Sequence, residues 1–331
     1  MKLLFFTDLH ITSTRPSSRK DDYIETISSK LDEMVSVSEE VDWVILGGDI
    51  FHRAKPNIEE LFLFVNFISK VSEKGCKVIT CPGNHDLIGY NYSKIKRTGI
   101  GFCDSLMKES LILMTDNNTQ MQLDENIWLH FRPSSNKVQD NFMVQRLDGI
   151  NLGLMHDMLV EKPFFDDYVL IDDFTTNLDA VFNGHYHPGH PPTLANGTFY
   201  INPGAMVRNT KKKSDIQRLP KYAIIYIYDE TKDKDFVVSY FPFQSYNADV
   251  FVEDIQEEIK PFFENIEVKD PIGISAMDYI KIRANDFDLS SDARQALREI
   301  EAQVLGNYCL LYTSDAADEG LGVDLGGRRI I

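Results

Sequence analysis

Apolar and polar positions alternate in blocks along the first 110 residues, short β-prone runs giving way to stretches with helical spacing. Lys2–Phe6 predicts a strand, and Asp21–Glu40, with its I-x-x-x-S-x-x-L-x-x-M spacing, predicts an amphipathic helix. Val41–Leu46 (V-D-W-V-I-L) is mostly apolar, as suits a strand buried on both faces. A helix over Asn57–Glu73, entered through Pro56, and a third strand over Lys77–Cys81 follow. Three such β-α repeats argue for parallel strands with helices on both faces. From Ser110 the strands shorten: Gln120–Leu123, Ile127–Phe131, Ile150–Met155, Ala180–Asn183, Thr198–Ile201, Tyr222–Tyr228 and Phe236–Phe241, interrupted by a helix over Lys137–Leu147. The second half therefore predicts a further sheet packed on the first. After Pro242 the pattern returns to helix, then a strand at Tyr279–Arg283 and a helix at Ser290–Gln303. The expected organisation is a main domain over 1–245 and a small α/β domain over 246–308.

Length and composition change this picture little. A chain of 331 residues can bury one large core, or one core with a small appended domain. No apolar run is long enough to span a membrane, and M-K-L-L-F-F-T-D reads as a first strand rather than a signal peptide. Cys76, Cys81 and Cys103 lack metal or disulfide spacing and are expected to be reduced core thiols of a cytoplasmic protein. The net charge of −17 argues at first sight against a nucleic-acid partner. Bound divalent cations, however, would reverse the sign of an acidic site. The end of the chain stands apart. C-L-L-Y-T-S-D-A-A-D-E (Cys309–Glu319) and V-D-L-G-G-R-R-I-I (Val323–Ile331) resemble translated sequencing-adapter blocks, so 309–331 is expected to be non-native and to take no part in the fold.

The chemistry lies at the strand ends. Asp8-Leu9-His10 closes the first strand, Asp49 the second and Asn84-His85-Asp86 the third; His156 follows Ile150–Met155, and Gly184-His185-Tyr186-His187 follows Ala180–Asn183. Open α/β sheets place their ligands beyond the carboxyl ends of the strands. At a strand end, residues i and i+2 point the same way, so D-x-H and H-x-H can each face one pocket. Imidazole, carboxylate and amide oxygen suit manganese or iron better than magnesium, and the absence of cysteine argues against structural zinc.

D-L-H, G-G-D-I-F-H, G-N-H-D, His156 and G-H-Y-H resemble, in order, the five motifs of calcineurin-like metallophosphoesterases. Within that superfamily three details are similar to the SbcD-type DNA-repair nucleases: F-H after the central Asp, G-N-H-D in place of G-N-H-E, and N-P-G-A-M-V-R after the last histidine pair. The resemblance covers residues 1–245 and implies an α/β four-layer sandwich, two mixed sheets packed face to face and flanked by helices. It implies that Asp8, His10, Asp49 and His187 hold one metal, and that Asp49, Asn84, His156 and His185 hold the other, Asp49 bridging. It further implies two divalent ions, manganese above all, with His85 as general acid, Asp86 orienting that imidazole and His52 near the DNA path. DNA would be the substrate, cut as an exonuclease and as a single-strand endonuclease. An SbcC-type ATPase would be the partner, in an assembly that can include a homodimer of this chain.

The remaining residues bear on substrate. The basic run Arg208, Lys211, Lys212, Lys213, Arg218 and Lys221 lies just beyond the last motif, where it could contact phosphate, though such runs are more often solvated loops. Tyr90 and Tyr92 could stack on an unpaired base. His130 and His190 match no motif and are read as structural. Two alternatives stay open: a phosphoesterase acting on small phosphodiesters or phosphoproteins, and a binding protein on the same fold without metals.

Overall fold

The computed structural model describes residues 1–251 except 117–118, 136, 164–166, 231–232 and 246–249, with the side chains of 213–214, 229–230 and 233–235 also outside the description. The chain divides into two units, Met1–Val252 and Glu253–Ile331, and the described residues belong to the first. The strand expected at Tyr279–Arg283, the helix at Ser290–Gln303 and the 309–331 tail lie outside the described residues.

The elements run β1 (Lys2–Phe6), α1 (Tyr23–Ser38), β2 (Trp43–Leu46), α2 (Ile58–Glu73), β3 (Lys77–Thr80), α3 (Gly99–Leu106), β4 (Leu111–Leu113), β5 (Gln120–Asp124) and β6 (Ile127–Phe131). They continue with β7 (Asn141–Phe142), β8 (Ile150–Met155), β9 (Leu159–Val160), β10 (Val169–Leu170), β11 (Thr175–Thr176), β12 (Ala180–Asn183), β13 (Thr193–Ala195), β14 (Thr198–Ile201), α4 (Lys213–Gln217), β15 (Lys221–Glu230) and β16 (Asp233–Pro242). One six-stranded sheet has the order β16-β15-β1-β2-β3-β4, the other β13-β14-β12-β8-β6-β5. The first is parallel from β1 to β4 and antiparallel from β1 to β16; the second has a parallel centre and an antiparallel pair at each edge.

Side-chain alternation along β1 explains the layering. Leu4 and Phe6 face α1, α2 and α3, packing with Leu31, Met34, Phe64, Phe67 and Ile100. Leu3 and Phe5 face the other way, onto Leu129, Leu152, Leu154 and Phe182 of the second sheet. The three helices thus share one face of the first sheet, because the other face is taken by the second sheet. Helix starts are set by side chains that satisfy otherwise orphaned backbone donors. Asp22 accepts from Glu25 N, and Asn57 with Glu60 forms a reciprocal capping box on α2.

Helices were expected on both faces of the parallel strands and lie on one, and two further expectations are corrected. The segment 137–147 is not a helix, because its backbone groups are taken by side chains from elsewhere. Arg132 donates to the carbonyls of Gln139 and Asn141, Asn177 engages both N and O of Val144, and Asn151 engages both N and O of Leu147. The last two strands join the first sheet rather than the second, β15 pairing antiparallel with β1 and covering an edge that would otherwise be open.

Strand register positions the site. Phe6, Leu46 and Thr80 stand opposite one another across β1, β2 and β3, so the three following loops emerge side by side. In the second sheet Met155 stands opposite Asn183, which brings His156 level with the Gly184-His185 turn.

Candidate metal centre

The loops after β1 and β2 run on past their strands as a zipped pair: Asp8 N donates to Gly48 O, His10 N to Asp49 O and Ile11 N to Ile50 O. Asp8, His10 and Asp49 all have φ near +50° (54°, 44° and 48°), and His185 has 72°. Left-handed backbone is costly for side chains of this kind, and it persists where the surroundings over-determine it, commonly at functional sites. Glycine makes the close approach possible: a Cβ on Gly83 would lie 2.0 Å from Asp49 Oδ1.

The side chains converge in two overlapping groups, Asp8 with His10, Asp49 and His187, and Asp49 with His156 and His185, each group offering ligand atoms within 4.8 Å of one another. Asp49 belongs to both. Its Oδ2 lies 3.2 Å from His156 Nε2 and 3.7 Å from His10 Nε2, while its Oδ1 accepts the backbone N–H of His85 at 2.9 Å. Asp8 accepts from Thr7 Oγ1 and from His185 N. His156 Nδ1 is 2.7 Å from Gly47 O; a carbonyl can only accept, so Nδ1 carries hydrogen and Nε2 turns toward Asp49.

Burial alone would raise the pKa of both carboxylates. The imidazoles outweigh it, His187 and His156 at Asp8 and His156 and His85 at Asp49, and hold both groups below the usual carboxylate range. Burial would conversely lower His156, but Asp49 outweighs it and pushes His156 up to about 10. His185, buried and beside His156, is lowered to about 4. His10 is lowered well below the usual range by burial and by His85.

These residues fit divalent cations. Asp49 Oδ2 and His156 Nε2, 3.2 Å apart, are buried with no hydrogen-bond partner, as are His10 Nδ1 and Asn84 Oδ1, and such groups are expensive unless something satisfies them. The donors are imidazole nitrogen and oxygen, suited to divalent transition metals.

The other expected residues fall in different places. His85 Nδ1 donates to the carbonyl of His52 at 2.8 Å, and its ring meets that of His10 edge-on with centroids 4.8 Å apart. The His52 ring lies tilted against that of His85 with centroids 5.4 Å apart, and His10, His52 and His85 form a third group of candidate ligand atoms. Asp86 does not orient His85. Its buried carboxylate accepts three backbone N–H groups, from Ile50, Phe51 and Gly83, and so ties the loop after Asp49 to the loop before Asn84. Three fixed donors around it leave the carboxylate committed to the backbone.

The basic run is split. Arg208 is buried, its guanidinium donating to Ile216 O and lying over the Phe251 ring, so it is not placed to meet a phosphate. Arg218 donates to Ala205 O and Val207 O and pairs with Asp215. Lys211 and Lys212 are exposed, and Lys213 opens α4 with its side chain outside the described residues. His130 bonds Asn151 and His190 meets Pro191 O, both away from the ligand groups.

Three supports had no motif to announce them. Asn183 and Asp157 hold each other reciprocally, Asp157 N donating to Asn183 Oδ1 and Asn183 Nδ2 to Asp157 O, which locks the residue after His156 to the residue before Gly184-His185. Arg132 pairs with Asp157 in the same buried space. In the segment 205–209 every carbonyl is captured: by Arg218 at Ala205 and Val207, Lys30 at Met206, Arg19 at Arg208 and Ser18 at Asn209. That segment is bonded in turn to Thr7 O and His187 O. The signal for the first was adjacency to a motif residue; for the other two there was none.

A mixed double sheet whose strand ends deliver two histidine groups sharing one buried carboxylate makes a candidate two-metal centre. Residues 1–189 match the Calcineurin-like phosphoesterase family, and the chain belongs to it. Among curated proteins it is similar to a DNA double-strand break repair protein Mre11 of Methanopyrus kandleri, 29% identical over 89 residues, covering 26% of this chain and 19% of that one. It is similar also to a double-strand break repair protein of Coprinopsis cinerea, 24% identical over 370 residues, covering 90% of this chain and 48% of that one. The chain therefore spans less than half the length of these relatives. A solved dimetal phosphatase from Danio rerio aligns with a TM-score of 0.45 and 10% identity, over 74% of this chain and 99% of that one. Among the described residues no helix is long and apolar enough to cross a membrane.

Proposed function

We propose that this chain hydrolyses DNA phosphodiesters with two divalent ions, manganese by preference, acting as an exonuclease and single-strand endonuclease in DNA repair or recombination. The observation that carries the hydrolytic part is Asp49, one buried carboxylate shared by both ligand groups. The DNA part draws support from the match to a double-strand break repair protein over 90% of this chain and from the F-H, G-N-H-D and N-P-G-A-M-V-R details.

Asp8, His10, Asp49 and His187 would hold one ion; Asp49, Asn84, His156 and His185 the other. Ions held there supply Lewis acidity, drawing charge from phosphoryl oxygens and making water nucleophilic at neutral pH. The chain's own residues do the rest. The His52 carbonyl holds His85 Nδ1–H, so the proton His85 can deliver to a departing sugar oxygen is the one on Nε2 of its imidazolium. Asp86 and the Asn183–Asp157 pair keep the loops in register while charge builds at the phosphate.

An SbcC-type ATPase and a homodimer belong to the same reading. The apolar pairs Ile58/Phe62 and Phe102/Leu106, exposed on α2 and α3, are the surface that a second copy would cover. Sedimentation of the Phe62→Glu, Leu106→Glu double variant should give a monomer where the natural chain gives a dimer. A monomer in both cases removes the homodimer from the reading.

The test of function is cleavage of end-labelled duplex, hairpin and single-stranded DNA with manganese, beside a nitrophenyl phosphodiester. Loss of DNA cleavage with chelator and its return with manganese are expected. Turnover of the nitrophenyl ester with none of the DNA substrates cut would favour small phosphodiesters instead.

A further inference from the structure

The segment after the third motif carries a side chain where its backbone disfavours one. Asn91 N bonds back to Ile88 O at 3.3 Å, closing a tight turn whose central residues are Gly89 (φ 61°) and Tyr90 (φ 54°). Two consecutive left-handed residues make a type I′ turn, in which glycine, asparagine and aspartate dominate because larger side chains crowd the backbone. A tyrosine at the second position needs a reason. It is not core packing, since Tyr90 is 41% exposed. Nor is it shared with Tyr92, whose ring joins the inner core and whose hydroxyl accepts Ser134 N at 2.8 Å.

Position supplies the reason. The turn begins two residues past Asp86, and burial, then the charges of Asp49 and Asp157, push the Tyr90 hydroxyl above its ordinary pKa. Directly after it runs a single 3₁₀ helix, Tyr92–Arg97, with Asn91 capping Ser93 N. Its Lys94, Lys96 and Arg97 are exposed. Residues three apart eclipse in a 3₁₀ helix, so Lys94 and Arg97 form one row. The end of that helix is anchored by Gly99 N to Ala54 O, two residues beyond His52. In a chain of net charge −17, an exposed aromatic followed at once by three exposed cations lies between two of the loops that build the metal centre.

We propose that Tyr90 and the Lys94–Arg97 row form a subsite for an unpaired nucleotide, the tyrosine ring stacking on its base and the cations holding the flanking phosphates. The proposal rests on the nuclease reading and names the form of its substrate: a strand with its bases turned out, the arrangement an aromatic platform beside a basic track accepts without sequence preference. It also moves the phosphate track from the 208–221 run, where Arg208 and Arg218 serve the backbone, to the 94–97 row.

The test uses the full chain with manganese and two single strands of equal length, one normal and one abasic at alternate nucleotides, so that the phosphates are shared and the bases are not. The natural chain should show a KM for the abasic strand higher by about 5- to 150-fold, the range expected for losing one stacked base. Tyr90→Asn should raise KM on the normal strand to the abasic value and show no further loss on the abasic strand; Tyr90→Trp should restore discrimination. Because asparagine accepts left-handed backbone, Tyr90→Asn should also melt about 2–4 °C higher, a change no packing role would produce. Replacing Lys94 and Arg97 by Ala should flatten the salt slope of single-strand binding by about 0.7 for each phosphate no longer neutralised. Equal KM for both strands in the natural chain, or a Tyr90→Asn variant that still discriminates or melts lower, overturns the subsite while leaving DNA cleavage standing. Failure to cut either strand while a nitrophenyl phosphodiester is turned over overturns both the subsite and the nuclease reading.

Discussion

The imidazoles of His10 and His187 meet Nε2 to Nε2 at 2.9 Å, although 177 residues separate them in the chain. Two ring nitrogens that close can share one proton, or both can turn their lone pairs on a cation. The left-handed backbone at His10 and the capture of His187 O by Ala205 N hold the rings in that confrontation. Replacing one ring should therefore empty one metal position and spare the other. His187→Ala is expected to bind one manganese ion per chain in a calorimetric titration. Retention of two ions would show that His187 is not a ligand.

His85 donates to Asp49 Oδ1 through its backbone N–H, while its ring Nδ1 is committed to the His52 carbonyl. His85→Ala should keep the metal isotherm and lose about 10²- to 10⁴-fold in kcat, the range for removing a general acid. A variant that loses metal as readily as His185→Ala does would make His85 a ligand.

The Asp86 carboxylate is the hub of three backbone N–H groups on two loops. An asparagine can offer one oxygen and must point an N–H₂ group at the remaining donors. Asp86→Asn should cost on the order of 1–3 kcal/mol or more in unfolding free energy, read from denaturant titration of metal-free protein. An unchanged midpoint would mean that the loops are held by other bonds.

Lys30 gives a pH signature. It is a buried residue of α1 with Nζ donating to Met206 O, and burial first, then Arg218, Arg19 and Arg208, lowers its pKa from 10.5 to about 7. Between those values the unfolded chain binds the extra proton, so the native state gains stability as pH rises from 7 toward 10.5 and carries the cost of a buried charge below that window. Relative to the natural chain, Lys30→Met should therefore gain in melting temperature as pH falls from about 10 to 7. Parallel melting curves for the two proteins across this window would contradict the assignment.

The parallel half of the first sheet was legible because β1, β2 and β3 are short and mostly apolar, and α1 and α2 carry clear caps. The ligand residues were legible for a related reason: a strand end offers few positions, and five of them held Asp, Asn or His. The helix expected over 137–147 failed because Arg132, Asn151 and Asn177, all outside the segment, take its backbone groups, Asn177 from 33 residues away. Helix α3 was not read at all. Its G-I-G-F start has poor helical propensity, and Thr98, accepting from Gly101 N, starts it. The role of Asp86 was misjudged because a carboxylate next to a histidine in sequence need not touch it in space. The clamp on residues 205–209 joins residues nearly 200 positions apart and leaves no local pattern.

The claim on which the rest depends is that Asp49 holds two ions at once. The direct measurement is manganese stoichiometry by calorimetry for the natural chain and for Asp49→Asn, with circular dichroism to show that both are folded. Two ions per chain are predicted for the natural protein, and a great loss of affinity at both positions for the variant, since one buried carboxylate belongs to both ligand groups. A folded Asp49→Asn protein that still takes up two ions with the natural affinity would contradict the account.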